Sequence, residues 1–459
     1  MAARIDPGDT AWLLVSAALV LLMVPGLALF YGGMVRVKSA LNMMMMSLTC
    51  MAVVTIVWVL YGYALAFGTD VGNGLIGNLR HVGMAGIGPD TTTGSVPTMV
   101  FAAFQLMFAI ITAALLSGSI ADRARFGTWI IFVAAWVTLV YAPVAHWVFT
   151  ADGWIAHHLH ILDLAGGTVV EINSGASGLA LALVLGPRIG FRADPIRPHS
   201  LPLVVLGAGL LWFGWFGFNA GSAVAANGAA GTAFFNTQTA GAAAVAGWLI
   251  VERLRDGKAT TLGAASGAVS GLVAITPACG SVNPLGALVV GLIAGVVCCY
   301  AVGLKYRFGY DDSLDVAGVH GVGGAVGMLL IGVLATAAVT GGQRGLLFGG
   351  GASLLGRQAA AAAVVAVYSF GATWLIATVL HRVIGFRATA DDERGGLDLA
   401  VHGETAYELG SHAKGTVHGG HPTESDPRTA GQIAGSERVG PAEQVSEVEP
   451  ATLASDGRR

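Results

Sequence analysis

Long uncharged stretches, broken by short charged ones, set the pattern of the chain. Residues 10–35, 39–69, 91–121 and 126–150 contain no Asp, Glu, Lys or Arg, and another apolar run follows Glu171 up to Gly186-Pro187. Two further stretches, 198–251 and 259–304, are of double length. Each carries a Gly- or Pro-rich turn near its middle, around Asn219–Gly231 and Thr276–Pro284, and so divides into two helices. Stretches 316–343 and 358–381 complete the set. About 20 apolar residues of helix cross a hydrocarbon core about 30 Å thick. The pattern therefore predicts an all-α integral membrane protein of eleven transmembrane helices.

An odd number of spans puts the termini on opposite sides. Alternate loops hold Arg36/Lys38, Arg123/Arg125, Arg188/Arg192/Arg197, Arg253/Arg255/Lys258 and Lys305/Arg307, with Arg382/Arg387 after the last span. The other side holds Arg4, Arg80, Arg344 and Arg357. Lys and Arg collect in cytoplasmic loops, so the N-terminus is expected outside and the C-terminus in the cytoplasm. The first apolar run has one Arg before it, against Asp6 and Asp9, and its basic residues follow it. That order is the reverse of a secretion signal, and residues 11–33 read as a retained first helix.

Composition narrows the class without changing it. Charged residues make up 11% of the chain, against about 25% in soluble domains. Hydrophobic residues reach 54% and mean hydropathy is +0.70, which leaves too little polar surface for a soluble fold. The 67 glycines suit helices that approach closely in lipid. A net charge of −3 gives no basis for nucleic-acid binding. Cys50, Cys279, Cys298 and Cys299 lie in or beside apolar runs without paired spacing, and read as small packing residues. No cofactor or resident metal is expected.

Three regions follow: a membrane domain over 1–386, a cytoplasmic segment over 387–410, and a charged tail over 411–459 expected to be disordered. The tail region's His402, His412, His418 and His421 lack regular ligand spacing, which argues against a metal site.

Ionisable residues deep in a bilayer are costly and mark function by default. The fifth span opens with Asp163-Leu-Ala-Gly-Gly-Thr-Val-Val-Glu171, the tenth with Asp312-Ser-Leu-Asp-Val-Ala-Gly-Val-His320. In both, an Asp near the membrane edge precedes an ionisable group by eight residues, about 12 Å of helix and so near the midplane. The two spans enter from opposite faces, so Glu171 and His320 can meet. Spans one to five and six to ten are then expected to be inverted-topology repeats, 5+5, with an eleventh helix added. A plain structural pairing of Glu171 with His320 stays open at this point. So does simple helix capping, the favoured reading for Asp312 and Asp315 and an even one for Asp163.

Several motifs are specific. Pro25-Gly-Leu-Ala-Leu-Phe-Tyr-Gly-Gly33, Asp163-Leu-Ala-Gly-Gly-Thr-Val-Val-Glu-Ile-Asn173, Gly214-Trp-Phe-Gly-Phe-Asn-Ala-Gly-Ser222, Thr276-Pro-Ala-Cys-Gly280, Val319-His-Gly-Val322 and Gly396-Leu-Asp-Leu-Ala-Val-His-Gly-Glu-Thr-Ala-Tyr407 occur in order along the chain. Over roughly residues 11–408 the chain resembles the ammonium transporter family. The resemblance implies a homotrimer in the plasma membrane with one narrow pore per subunit. It also implies a vestibule that collects ammonium, a gate of two stacked phenylalanines, and a mid-membrane histidine pair lining an apolar conduit. His320 matches the second histidine of that pair, and Phe108 and Phe218 match the gate. Ser222 matches a vestibule hydroxyl, Trp215 a pore-side aromatic and Asp163 the carboxylate that supports recruitment. A nitrogen-sensing regulator of the PII type is an implied partner at the cytoplasmic face.

Two positions depart from the family's pattern. Glu171 stands where the first histidine is usual, a replacement also found in some fungal members. Phe149 stands in the place of the vestibule tryptophan, with Trp147 and Trp154 as candidates to complete an aromatic lid. His157, His158 and His160 in the following loop read as solvated. Alternatives are a gas channel of the related Rhesus type, an ammonium sensor, and an intramembrane hydrolase built on Asp163, Glu171 and His320. The last lacks a nucleophile elbow or a metalloprotease motif.

Overall fold

The structure is a computed structural model that describes residues 4–194 and 196–407. The expectation of disorder over 411–459 lies outside the described residues. Helices dominate: α1 (Pro7–Met34), α2 (Val37–Phe67), α3 (Thr98–Ile120), α4 (Phe126–Phe149), α5 (Gly167–Leu185), α6 (Leu201–Gly221), α7 (Gly228–Arg255), α8 (Thr261–Ala278), α9 (Pro284–Phe308), α10 (Ala317–Leu334) and α11 (Ser353–Val383). Two short antiparallel hairpins, β1 (Asp70–Val71) with β2 (Ile76–Gly77) and β3 (Thr92–Thr93) with β4 (Val96–Pro97), sit in the loop between α2 and α3.

Ten of these helices are long and apolar enough to cross a membrane. The other, α7, is 28 residues long, about 42 Å at 1.5 Å per residue. Its polar residues are turned into protein: Asn236 and Thr237 are fully buried, and Asn236 Nδ2 donates to the carbonyls of Cys279 and Val282 at 2.8 Å. Interior partners replace the hydropathy that α7 lacks.

Helix ends fall where the sequence supplies caps. Asn227 accepts from the backbone N–H groups of Ala229 and Ala230, Thr260 from Gly263, and Asn283 from Gly286. Glycines then let backbones touch in the bundle. A Cβ on Gly291 or Gly295 of α9 would lie 2.2 Å from the carbonyl oxygen of Ala240 or Ala244 of α7. The four cysteines are buried and unpaired, as small packing residues.

The segment after α11 docks on one face of the bundle. Ala124 and Arg387 form a β-bridge, and Glu393 accepts from the backbone N–H of Ile189 and from Arg387. Asp398 accepts from the N–H groups of Leu41 and Asn42, capping α2 from outside its own sequence. Beneath it lies a buried ion network. Arg188 binds both oxygens of Asp311 at 2.9 Å and reaches Asp122 at 3.1 Å.

Candidate functional site

α5 and α10 begin alike. Each opens with a π-turn, closed by Asn173 N–H to the Thr168 carbonyl and by Val322 N–H to the Ala317 carbonyl. Such wide turns inside helices often mark functional positions. Asp163 caps α5, accepting from the N–H groups of Gly166, Gly167 and Thr168 and from the Thr168 hydroxyl. Asp312 caps α10 through the N–H groups of Val316 and Ala317. The cap expected of Asp315 is not formed. Its backbone sits at φ 65° and its carboxylate pairs with Lys305 Nζ at 2.7 Å, because the charge beside it outweighs a turn-end hydrogen bond.

The two helices cross where glycine replaces side chains. A Cβ on Gly175 of α5 would lie 2.2 Å from Gly321, and one on Gly324 of α10 would lie 2.8 Å from the Cβ of Glu171. This reciprocal contact brings the deep residues together. His320 Nδ1 lies 2.7 Å from Glu171 Oε2, and both side chains are buried. Glu171 Oε1 has no hydrogen-bond partner among the described residues. With Nδ1 committed to Glu171, Nε2 is the nitrogen left to the space around the ring.

That space is a narrow conduit. A cavity of about 10 Å³, room for roughly one water-sized molecule, is bordered by Phe218, Trp215, Glu171 and His320. A second, of about 20 Å³, shares Phe30, Tyr31, Val269 and His320 with the first and runs on to Asp315. It shares Met34, Leu314 and Asp315 with an open cavity of about 670 Å³ that contains Arg188, Arg192 and Lys305. The walls between Phe218 and His320 are almost wholly apolar. Sequence reasoning passed over Tyr31, which lines both narrow cavities and donates to the Leu115 carbonyl at 3.2 Å. Its signal was its place in the Pro25–Gly33 motif.

Phe218, which lines the first cavity, stacks on Phe108, with ring centroids 4.1 Å apart and planes at 24°. Phe149 meets Phe108 edge-on at 6.4 Å. Trp215 lies on the conduit side of Phe218, its indole N–H donating to the Thr276 hydroxyl at 2.9 Å. Ser222 donates to the Phe218 carbonyl at 2.8 Å, so its oxygen is left to accept. Trp147 and Trp154 are not brought to the phenylalanines. They pack on each other at 5.8 Å, and Trp147 also packs on Tyr368, because Trp147 Nε1 is drawn to the Leu75 carbonyl of the β1–β2 turn. His157, His158 and His160 are exposed, and among the described residues no cluster of metal-ligating side chains occurs.

The model of the Ammonium Transporter Family matches residues 11–407. The chain belongs to the ammonium transporter family. An ammonium transporter of Mycobacterium tuberculosis (strain H37Rv) is 55% identical over 475 residues, covering 97% of this chain and 98% of the relative. The crystal structure of Saccharomyces cerevisiae Mep2 superposes with a TM-score of 0.79 at 36% identity, over 84% of this chain and 89% of that one. A structure described as a sensor Amt protein reaches 0.80 at 30% identity, over 86% and 98%. This ammonium transporter is thus a predominantly helical, multi-pass membrane protein.

Proposed function

We propose that ammonium enters beside Phe149 and Ser222, loses a proton at the Phe108–Phe218 gate, and crosses as ammonia while Glu171 and His320 relay the proton. The Glu171–His320 contact at 2.7 Å inside an apolar conduit carries this reading. A cation on the gate side is held by aromatic faces and by the Ser222 oxygen. Past the gate, a bare charge meets apolar walls and a large desolvation cost. Ammonium escapes that cost by giving up a proton, and potassium, of similar size, has none to give. An imidazole and a carboxylate in contact pass protons readily. Asp163, with four hydrogen bonds already made, contributes negative charge near the entrance and the shape of the α5 turn, without touching the substrate.

Membership of the ammonium transporter family supports a plasma-membrane setting, and the Lys/Arg asymmetry supports the docked 387–407 segment in the cytoplasm with the gate facing outward. The shared openings of α5 and α10, with Asp163/Asp312, Glu171/His320 and Gly175/Gly324 all at the same 149-residue offset, support the 5+5 inverted repeat. A homotrimer, and a PII-type regulator meeting the segment that ends at Tyr407, complete the proposal. The test is flux into proteoliposomes. Ammonium should drive uptake that a large excess of potassium leaves unchanged, and equal competition by potassium would refute deprotonation as the source of selectivity.

A further inference from the structure

We infer that His146 is a positioning residue of the ammonium entrance and works as an imidazolium, holding the Phe149 end of α4 against the β1–β2 hairpin. This rests on Phe149 being part of the entrance, as proposed above. His146 is fully buried, and both its ring nitrogens face oxygen acceptors. Nδ1 lies 3.0 Å from the carbonyl of Ala66, and Nε2 lies 3.1 Å from Asp70 Oδ1. A neutral imidazole has one donor and one lone pair, so one of these contacts would set lone pair against lone pair. The imidazolium donates at both. The converse arrangement, a proton on Asp70, is disfavoured because Oδ1 already accepts the Gly74 N–H at 2.8 Å and the carboxyl group is 21% exposed to water. His146 also lies in the last turn of α4, where the helix dipole favours positive charge.

The surroundings leave the charge to one partner. Titratable and charged side chains on the segments packed against this end of α4 include Tyr63, Asp70, Tyr141, Asp152, His157, His158, His160, Asp163, Glu171, Arg357 and Tyr368. Among the described residues, Asp70 is the one acid within 4 Å of the ring. The hairpin that carries Asp70 is pinned twice more, by Trp147 Nε1 to the Leu75 carbonyl and by Trp154 N–H to the Gly74 carbonyl. One turn along α4 from His146, Phe149 touches Phe108 and fills the space a Cβ on Gly166 would take, with Cζ 3.0 Å from that point. Loss of the imidazolium frees one of the two contacts and loosens the turn that seats Phe149.

The experiment measures KM and kcat for methylammonium, a cation in neutral bulk water, in proteoliposomes clamped in voltage and internal pH. Both sides are held at neutral pH. His146→Gln should raise KM roughly ten-fold, the effect of about one charge-assisted hydrogen bond, while kcat holds. Asp70→Asn lets a neutral His146 accept from the new amide, so its KM should stay near the parent's while its His146 carries one N–H. Nitrogen chemical shifts of His146 in the reconstituted protein should show two N–H groups at neutral pH, whatever Phe149 does. A single N–H in the parent, or a KM for His146→Gln equal to the parent's, would overturn the inference. If Phe149→Ala leaves KM unchanged while His146 is an imidazolium, the fault lies in the entrance reading, and the positioning role falls with it.

Discussion

Gly175 of α5 and Gly321 of α10 touch backbone to backbone: a Cβ on Gly175 would lie 2.2 Å from both the N and the Cα of Gly321. The contact sets how far Glu171, one turn before Gly175, stands from His320, immediately before Gly321. Gly175→Ala cannot be accommodated by a side-chain rotation, since the obstacle is backbone. Transport in this variant should fall by about ten-fold or more, as misplacement of about 1 Å does in other positioned sites. Ammonium flux in proteoliposomes, beside a size-exclusion profile that reports folding, checks it.

The buried network around Arg188 gives a stability prediction with a sign. Burial pushes the Asp311 carboxyl up, but the Arg188 hydrogen bonds and the charges of Arg123 and Arg188 outweigh it and hold Asp311 below the usual carboxylate range. A lowered folded-state value contributes stability above the unfolded value near about 3.9. That contribution is lost only as pH falls through the lower folded value. Asp311→Asn should therefore cost about 3 kcal/mol at neutral pH by leaving Arg188 half-paired. The gap to the parent should close in strong acid. Thermal unfolding of the detergent-solubilised protein across pH measures both.

Asp398 ties the segment after α11 to α2 through the N–H groups of Leu41 and Asn42, at 3.0 and 2.7 Å. His402 adds a contact to the Asn42 side chain at 3.1 Å. Asp398→Ala should weaken the docking by about 1 kcal/mol, the usual value of a helix cap. Hydrogen exchange should quicken over residues 396–407 and at the first turn of α2, and transport should drop without loss of the assembled protein. Unchanged exchange at both places would show that the cap holds nothing.

Much of this was legible in the sequence because lipid leaves few options. Charge-free stretches marked the helices, and the turns in the double-length runs fell at the α6–α7 and α8–α9 loops. The pairing of Glu171 with His320 followed from two Asp-to-ionisable spacings of eight residues and opposite entry directions. Side-chain direction was not legible. Asp315 reads like a cap, yet Lys305, brought close by the end of α9, takes its carboxylate. Trp147 and Trp154 read like vestibule aromatics, yet a carbonyl in a two-residue-strand hairpin draws Trp147 away. His146 carried no signal, because its partner Asp70 is 76 residues distant and joined to it by folding alone.

In the proposed mechanism Glu171 and His320 move a proton. Ammonium and potassium flux into proteoliposomes across pH, for the parent, Glu171→His and Glu171→Gln, tests it most directly. A histidine can share a proton with His320, so Glu171→His should keep transporting with a shifted pH dependence. Glutamine keeps the shape but cannot relay a proton, so Glu171→Gln should slow ammonium transport about ten-fold or more, or admit potassium. If both variants match the parent in rate, pH profile and selectivity, Glu171 is a packing residue and the relay does not exist.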